Sequence, residues 1–236
     1  MEEKQGQIDN LNAPQPGVLL PSSNLVLTPP PAGGDTLVVA PFEPPFYIAS
    51  PPNGPLLQTE ILSNVTEYRL VIESIGSEGG PEFESITHQY AIIVSQDCDL
   101  DQDFRHRNEL KAEGKPLEAK DEKLLPSVLL CEVGPESAIS GAMKGGNLRD
   151  RFRKNREDRY QFLKTVEANL DAEKSGIEAM GIDFKRYFSV PTEELYAQLS
   201  GDCRRRCCLA PQYLEHFSRR FTNHLARVAL PRDHHR

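Results

Sequence analysis

Apolar and polar residues alternate along several short segments of the chain in the way that is typical of β-strands. Residues 60–65 and 67–75 are rich in β-branched and apolar side chains and precede a glycine-rich turn at 76–81, so they predict two strands and a loop. Residues 89–95 are almost continuously apolar, which predicts a central strand that is buried on both faces. Similar patterns predict further strands at residues 128–133, 159–166, 182–190 and 205–209.

Helical periodicity is clearest near the end of the sequence. Apolar residues that recur every three or four positions predict one long amphipathic helix over residues 211–230: Leu214, Phe217, Phe221, Leu225 and Val228. Thr192 suits an N-cap, and the two glutamates after it suit the positive end of a helix dipole, so a short helix is predicted over residues 192–199. The basic segment 145–156 predicts a short exposed helix, and the polar segment 101–124 predicts an exposed loop or short helix.

These elements together predict a mainly β fold with flanking helices (α+β), built as a small, partly open β-barrel over residues 56–236. Residues 1–55 differ in composition, because they hold twelve of the nineteen prolines and only six charged residues. Proline has no N–H group to donate to a sheet, so this segment is predicted to be a largely extended or disordered arm. Apolar stretches at residues 37–40 and 46–48 could dock it on a neighbouring surface.

Charge and hydrophobicity narrow the class of protein. The 236 residues include 27 basic and 35 acidic side chains, and the acids dominate residues 56–103 while the bases dominate residues 104–236. Such asymmetry either steers a partner or only keeps the protein in solution. The sequence has no run of about 18 apolar residues that could span a membrane, and it starts with polar, acidic residues instead of a secretory signal. We therefore expect a cytoplasmic protein that has no membrane partner and keeps its cysteines reduced.

The densest group of chemically active side chains directly follows the predicted central strand: Gln96, Asp97, Cys98 and Asp99, with further aspartates at 101 and 103. Carboxylates at every second position of an extended chain repel one another unless solvent, a cation or a basic partner is near. A calcium-binding loop would need a glycine and a distal glutamate where this sequence has Gln102 and Asn108. We interpret the motif as a solvated acidic loop and predict no metal site and no cofactor.

The cysteines also give no indication of a catalytic thiol or a metal site. The negative charges of Asp97 and Asp99 disfavour the thiolate that a catalytic Cys98 would need. A second group of three cysteines lacks the paired spacing and the further ligands that are typical of a zinc site: Cys203, Cys207 and Cys208.

Basic residues cluster in two regions, at 149–159 and 204–227. The first cluster contains the candidate nucleic-acid-binding residues: Arg149, Arg151, Arg153 and Arg159. Nearby aromatic residues such as Tyr160 and Phe162 could stack on bases. The acidic total charge and the lack of a recognised nucleic-acid motif favour instead a solvated face or a groove for an acidic protein partner.

Three apolar segments resemble the strands of one known family. Residues 56–62 (LLQTEIL) resemble its opening strand, residues 90–95 (YAIIVS) its central strand, and residues 129–133 (LLCEV) the strand that follows. On these segments the chain resembles the PemK/MazF-like toxin superfamily over about residues 56–166. The resemblance implies an SH3-like barrel. It also implies that this chain is a divergent member of the superfamily, because the family's nucleases have an arginine before the central strand and a threonine or serine after the next one. His88 and Ser137 stand at the corresponding places here.

Two functions of different classes follow from the sequence. The first is a non-catalytic binding or interaction module of PemK/MazF-like fold, in a bacterial toxin–antitoxin or defence system, with a partner protein or a second copy of the chain as its ligand. The alternative is a divergent RNA endonuclease in which His88 and Ser137 act together with nearby arginines.

Overall fold

The computed structural model describes residues 44–118, 120–141, 143 and 145–227, and these residues form a mixed α+β fold. Seven strands make one antiparallel sheet in this part of the chain: β1 (Tyr47–Ala49), β2 (Glu60–Leu70), β3 (Phe83–Ile93), β4 (Ser127–Pro135), β5 (Tyr160–Leu163), β6 (Met180–Pro191) and β7 (Arg204–Leu209). Five helices accompany them: α1 (Asp97–Ala112), α2 (Glu136–Gly141), α3 (Gly146–Arg153), α4 (Thr192–Leu199) and α5 (Pro211–Leu225).

The strands lie in the order β1-β7-β2-β3-β4-β6-β5, so β3 is the middle strand. Ala91, Ile92 and Ile93 on β3 are completely buried. Ala91 and Ile93 point into one hydrophobic cluster and Ile92 points into the other. The prediction of a central strand with two buried faces is therefore confirmed, because both faces of this sheet are covered.

A different set of helices covers each face of the sheet. On one face, Phe184 of β6 packs edge-on against Phe217 and Phe221 of α5, with ring centroids 5.8 and 5.6 Å apart. On the other face, Leu100 of α1 and Leu195 of α4 are buried with the second cluster. Burying a side chain of this size contributes about 1.5–3 kcal/mol to the free energy of folding, so these buried side chains hold the helices against the sheet.

The sheet is not closed among the described residues. β1 and β5 are its two edges, since β1 pairs with β7 and β5 with β6. β1 comes from the end of the predicted arm. Tyr47 is buried and donates a hydrogen bond from Oη to the carbonyl of Lys164 at 2.7 Å, and Phe46 packs against Tyr213 of α5. The sheet thus extends into the segment that was predicted to be an arm, while its other apolar stretch, residues 37–40, lies outside the described residues.

Most predicted helices are confirmed, with one wrong detail. The helix predicted over residues 211–230 is present as α5 to Leu225, and Val228 lies outside the described residues. The helix over residues 192–199 is present with the predicted bounds, but its N-cap is Pro191, and Thr192 is the first helical residue. Thr192 is buried, and its Oγ1 has no hydrogen-bond partner among the described residues.

None of the helices in the described ranges is long and apolar enough to span a membrane.

The two strands predicted between residues 60 and 75 are in fact one. β2 runs without interruption from Glu60 to Leu70 and includes Asn64, which has a φ of 59°. Asparagine tolerates this left-handed conformation better than most residues. A short 3-10 turn, Ile72–Ser74, replaces the end of the second predicted strand.

The acidic motif is the start of a helix and not an extended loop, so that interpretation was wrong. Alternate residues on a helix do not share a face, and the aspartates are therefore separated. Asp97 and Asp99 lie in the first turn of α1, where the helix dipole stabilises negative charge. The next two aspartates form ion pairs one turn along the helix: Asp101 with Arg105 and Asp103 with Arg107.

α1 also carries a histidine whose titration can be predicted. Nε2 of His106 lies 2.6 Å from a carboxylate oxygen of Asp121, and this hydrogen bond raises the pKa of His106 above 6.5. Because the folded-state pKa is raised, the pair stabilises the fold fully below about pH 6.5, and this contribution is lost as the pH rises through the raised value. We expect an NMR titration of Asp121→Asn to return the pKa of His106 towards 6.5. An unchanged pKa in this variant would show that Asp121 is not the cause.

Candidate functional site

The structure places the two candidate catalytic residues in different surroundings. His88 on β3 is buried, its ring stacks on Phe188 with centroids 4.0 Å apart, and its Nε2 lies 3.1 Å from Oε2 of Glu67. Ser137 is exposed on α2. The two side chains share no hydrogen-bond partner among the described residues. The contacts of His88 give it a packing and pairing role, and its catalytic role stays a prediction.

The candidate nucleic-acid-binding arginines all have partners within the chain: Arg149 donates to the carbonyl of Ser140, Arg151 pairs with Glu157, Arg153 with Glu136 and Arg159 with Asp183. Burial raises the pKa of Asp183, but the hydrogen bonds from Arg159 and the backbone outweigh it, and the net shift is downward. Three of the four positive charges are thus opposed by a carboxylate. This opposition weakens the attraction for phosphate on which nucleic-acid affinity depends.

The acidic motif borders a groove of about 580 Å³ between the start of α1 and α5. Its apolar walls are Val94, Leu129, Phe221 and Leu225, and the motif residues Gln96, Asp97, Cys98 and Asp99 lie exposed at its rim. Oδ1 of Asp97 accepts a hydrogen bond from the backbone N–H of Gln58 at 2.5 Å. Among the described residues that line the groove, the charged ones are the acidic Asp97 and Asp99, so this lining repels phosphate groups.

The remaining cysteines are packed within the fold. Cys203, Cys207 and Cys208 are buried and free, and burial raises the pKa of Cys203 and Cys208 to about 12. In the residues that the structure describes, no group of three or more His, Cys, Asp or Glu side chains is placed to hold a metal ion. These thiols are therefore protonated core residues at neutral pH.

In the described part of the chain, exposed apolar side chains concentrate on a two-stranded hairpin formed by the distal halves of β2 and β3. β7 pairs with β2 only as far as Ser63, and β4 pairs with β3 only from Tyr90 onward. Residues 66–87, which we call the hairpin arm, therefore extend beyond the sheet and pair only with each other in the described part of the chain. An isolated two-stranded hairpin is at best marginally stable in water, so this arm needs other supports.

Two sets of contacts support the arm, one at its base and one at its tip. At the base, the side-chain amide of Gln198 on α4 accepts a hydrogen bond from the N–H of Thr66 at 2.9 Å and donates one to its carbonyl at 2.8 Å. This amide replaces the neighbouring strand that β2 loses at this point. At the tip, Oγ of Ser74 donates to the carbonyl of Val71 and accepts from the N–H of Glu82, at 2.6 and 2.7 Å.

The two faces of the arm differ sharply in polarity. Six paired residues on one face are uncharged: Thr66, Tyr68, Leu70, Phe83, Ser85 and Thr87. Tyr68 and Phe83 on this face are 58% and 64% exposed, and Ile72 and Ile75 near the tip are exposed as well. Five of the nine large hydrophobic side chains exposed in the described part of the chain thus belong to the arm. Contiguous exposed apolar side chains of this kind mark interaction sites.

The opposite face of the arm carries charged residues that are paired with each other. Glu67 accepts hydrogen bonds from Arg69, and its Oε2 also lies 3.1 Å from His88. Burial raises the pKa of Glu67, but these hydrogen bonds outweigh it and hold the pKa below 4.5. The alternation of side chains along the two strands thus places these charges on one face of the arm and leaves the other face uncharged.

Comparisons of the chain with known protein families, curated proteins and solved structures found no match. The candidate site therefore depends on the geometry alone. Sequence reasoning missed the hairpin arm, although the β-branched and aromatic residues on both sides of the turn at 76–81 are a hairpin signal. The pattern could predict the hairpin but not its exposure, because exposure depends on where β7 and β4 stop.

Proposed function

We propose that the protein is a non-catalytic interaction module that binds a partner protein through the uncharged face of the hairpin arm. The observation that carries this proposal is the concentration of exposed apolar side chains on a two-stranded extension of the sheet. A soluble protein gains nothing from exposing Tyr68, Leu70 and Phe83 side by side unless another surface covers them.

The chemistry of the arm defines the partner. The apolar face offers no charge to attract phosphate, so it fits a protein surface that is itself apolar and uncharged. The backbone edges of β2 and β3 beyond the sheet have no neighbouring strand in the described part of the chain, so the same partner can add a strand there. The occupant that we propose is a different protein with an apolar strand or hairpin of its own.

The proposed module agrees with the resemblance to the PemK/MazF-like superfamily, which together with the SH3-like barrel stays a prediction. A place in a bacterial toxin–antitoxin or defence system is part of the same prediction. The alternative, an RNA endonuclease, would need His88 and the arginines to leave the partners described above and to converge with Ser137 on one phosphate. The arm requires no such rearrangement, and for this reason we prefer the interaction module.

Site-specific photocrosslinking in cells that produce the protein naturally tests this function. With p-benzoylphenylalanine in place of Tyr68 or Phe83, we expect a discrete adduct with one other protein. The same amino acid in place of Tyr187, an exposed aromatic residue on β6, is the matched control and should give no such adduct. Adding Leu70→Asp should reduce the adduct about tenfold, because a charge on the apolar face must be desolvated on binding.

Four outcomes would contradict the proposal. The same products from Tyr187 and from the arm, or no product from the arm, would show that the apolar face does not bind a partner. An adduct of twice the mass of the chain would assign the arm to self-association instead of a different protein. An adduct with RNA would favour the endonuclease.

A further inference from the structure

A second cavity, separate from the hairpin arm, lies between α1 and α4. It has a volume of about 540 Å³, and its aromatic walls are Phe104 of α1 and Tyr196 of α4. Gly114, which has a φ of 65°, reverses the chain after α1 and brings Lys115 and Leu117 to the rim of this cleft. Its size and concave shape are those of a small-molecule site.

Arg107 is fixed in place at the inner side of the cleft. Its Nε donates to Oδ2 of Asp103 at 2.8 Å, and Asp103 is almost completely buried and also accepts the N–H of Leu125. The guanidinium lies 5.9 Å from the centre of the Tyr196 ring. The cleft therefore has a cation beside an aromatic wall, and both are held by buried contacts and do not need a ligand to order them.

The cations around the cleft are not all neutralised. Lys115 pairs with Glu113, and Arg107 pairs with Asp103 and lies 3.5 Å from the exposed Glu193. Lys111 also lines the cleft, one helical turn after Arg107, and forms no ion pair with any residue that the structure describes. Lys111 is exposed, and its ammonium group is free to pair with an anion bound in the cleft.

We propose that this cleft binds a small aromatic anion, with its ring against Phe104 and Tyr196 and its phosphate or carboxylate beside Lys111. Aromatic walls bind any planar ring, and the free ammonium group selects rings that carry negative charge. The exposed carboxylate of Glu193 at the rim disfavours ligands with a second, distant negative charge. This site is independent of the hairpin arm and adds ligand binding to the proposed function.

Isothermal calorimetry on the full chain tests the site with four probes. Adenosine 5′-monophosphate and 2-naphthoate each combine a ring with an anion, whereas adenosine and inorganic phosphate each lack one of the two. We expect saturable binding of at least one combined probe at millimolar concentration or below, and no saturable binding of adenosine or phosphate alone. Which combined probe binds decides between a phosphate and a carboxylate ligand.

Two variants locate the site. Lys111→Gln should lower the affinity for the bound probe about tenfold, which corresponds to about 1.4 kcal/mol of binding free energy. Lys185→Gln, on β6 and outside the cleft, is the matched control and should leave affinity unchanged. Both lysines are exposed, so equal melting temperatures will verify that the variants fold. The inference is wrong if neither combined probe binds, if adenosine binds as tightly as its phosphate, or if Lys111→Gln has no effect.

Discussion

Replacing Arg206 with methionine is expected to lower the free energy of unfolding by about 3–5 kcal/mol. Arg206 on β7 forms two hydrogen bonds of 2.7 Å with the carboxylate of Asp171, and both side chains are buried. Removing the guanidinium leaves the carboxylate of Asp171 without its countercharge in the core, which is the costly way to break a buried pair. Urea unfolding monitored by circular dichroism measures the loss.

A second substitution separates the charge from the packing. Adding Asp171→Asn to Arg206→Met removes the orphaned charge, so the double variant should lose less stability than the sum of the two single variants. The exposed pair of Glu215 and Arg219 on α5 is the matched control, and Arg219→Met should cost less than about 1 kcal/mol. Equal losses at both sites would mean that burial does not set the strength of the Asp171 pair.

The pair of Asp171 and Arg206 also predicts that the fold loses stability at acidic pH. Burial raises the pKa of Asp171, but hydrogen bonds from Arg206, Ser175 and the backbone outweigh it and lower the pKa from 3.8 to about 2. A lowered folded-state pKa gives stability that is present above the ordinary value and is lost as the pH falls towards 2. Part of the acid unfolding of the protein between pH 4 and pH 2 should therefore vanish in Asp171→Asn.

Replacing Phe184 with alanine is expected to cost about 3–5 kcal/mol of stability as well. Phe184 is completely buried in the core cluster and contacts Phe217 and Phe221 of α5, so its removal leaves a cavity that the sheet and the helix cannot close. Phe83 on the hairpin arm is the matched control, because it is the same residue type but 64% exposed.

Thermal and urea unfolding should therefore show a much larger loss of stability for Phe184→Ala than for Phe83→Ala. We expect Phe83→Ala to change stability by no more than about 0.5 kcal/mol. If Phe83→Ala were as damaging as Phe184→Ala, the arm would be packed within the protein and its apolar face would not be available to a partner.

The elements that the sequence predicts well are those with a strong local pattern. β3 appears as a double-sided apolar run because both of its faces are buried, and α5 appears as one apolar face because only that face meets the sheet. The helix α1 has few apolar residues, and besides the buried Leu100 it is stabilised by ion pairs, the helix dipole and the buried Asp103. No hydrophobic period marks such a helix, so the acidic residues at its start were interpreted as a loop.

The candidate site was harder to predict than the fold. His88 and the clustered arginines stand out in the sequence as candidate functional residues, but in the fold each has a partner within the chain, such as Asp183 for Arg159. The residues of the hairpin arm differ from these candidates, because the sequence suggests that they are buried and the structure shows that they are exposed. Tyr68, Leu70 and Phe83 have the composition of ordinary core strands, and only the lengths of the neighbouring strands leave them outside the core.

Gln198 links the arm to a helix by rotatable side-chain bonds, and this gives the arm a mechanical property that the rest of the sheet lacks. Beyond Thr66 no neighbouring strand in the described part of the chain fixes the angle of the arm, which continues β2 and β3 and contacts α4 through a single side-chain amide. The strand continues from Thr66 to Leu70 at about 3.3 Å per residue, so roughly 13 Å of it acts as a lever beyond this pivot. We therefore expect a small tilt of α4 to shift the far end of the arm more than its base.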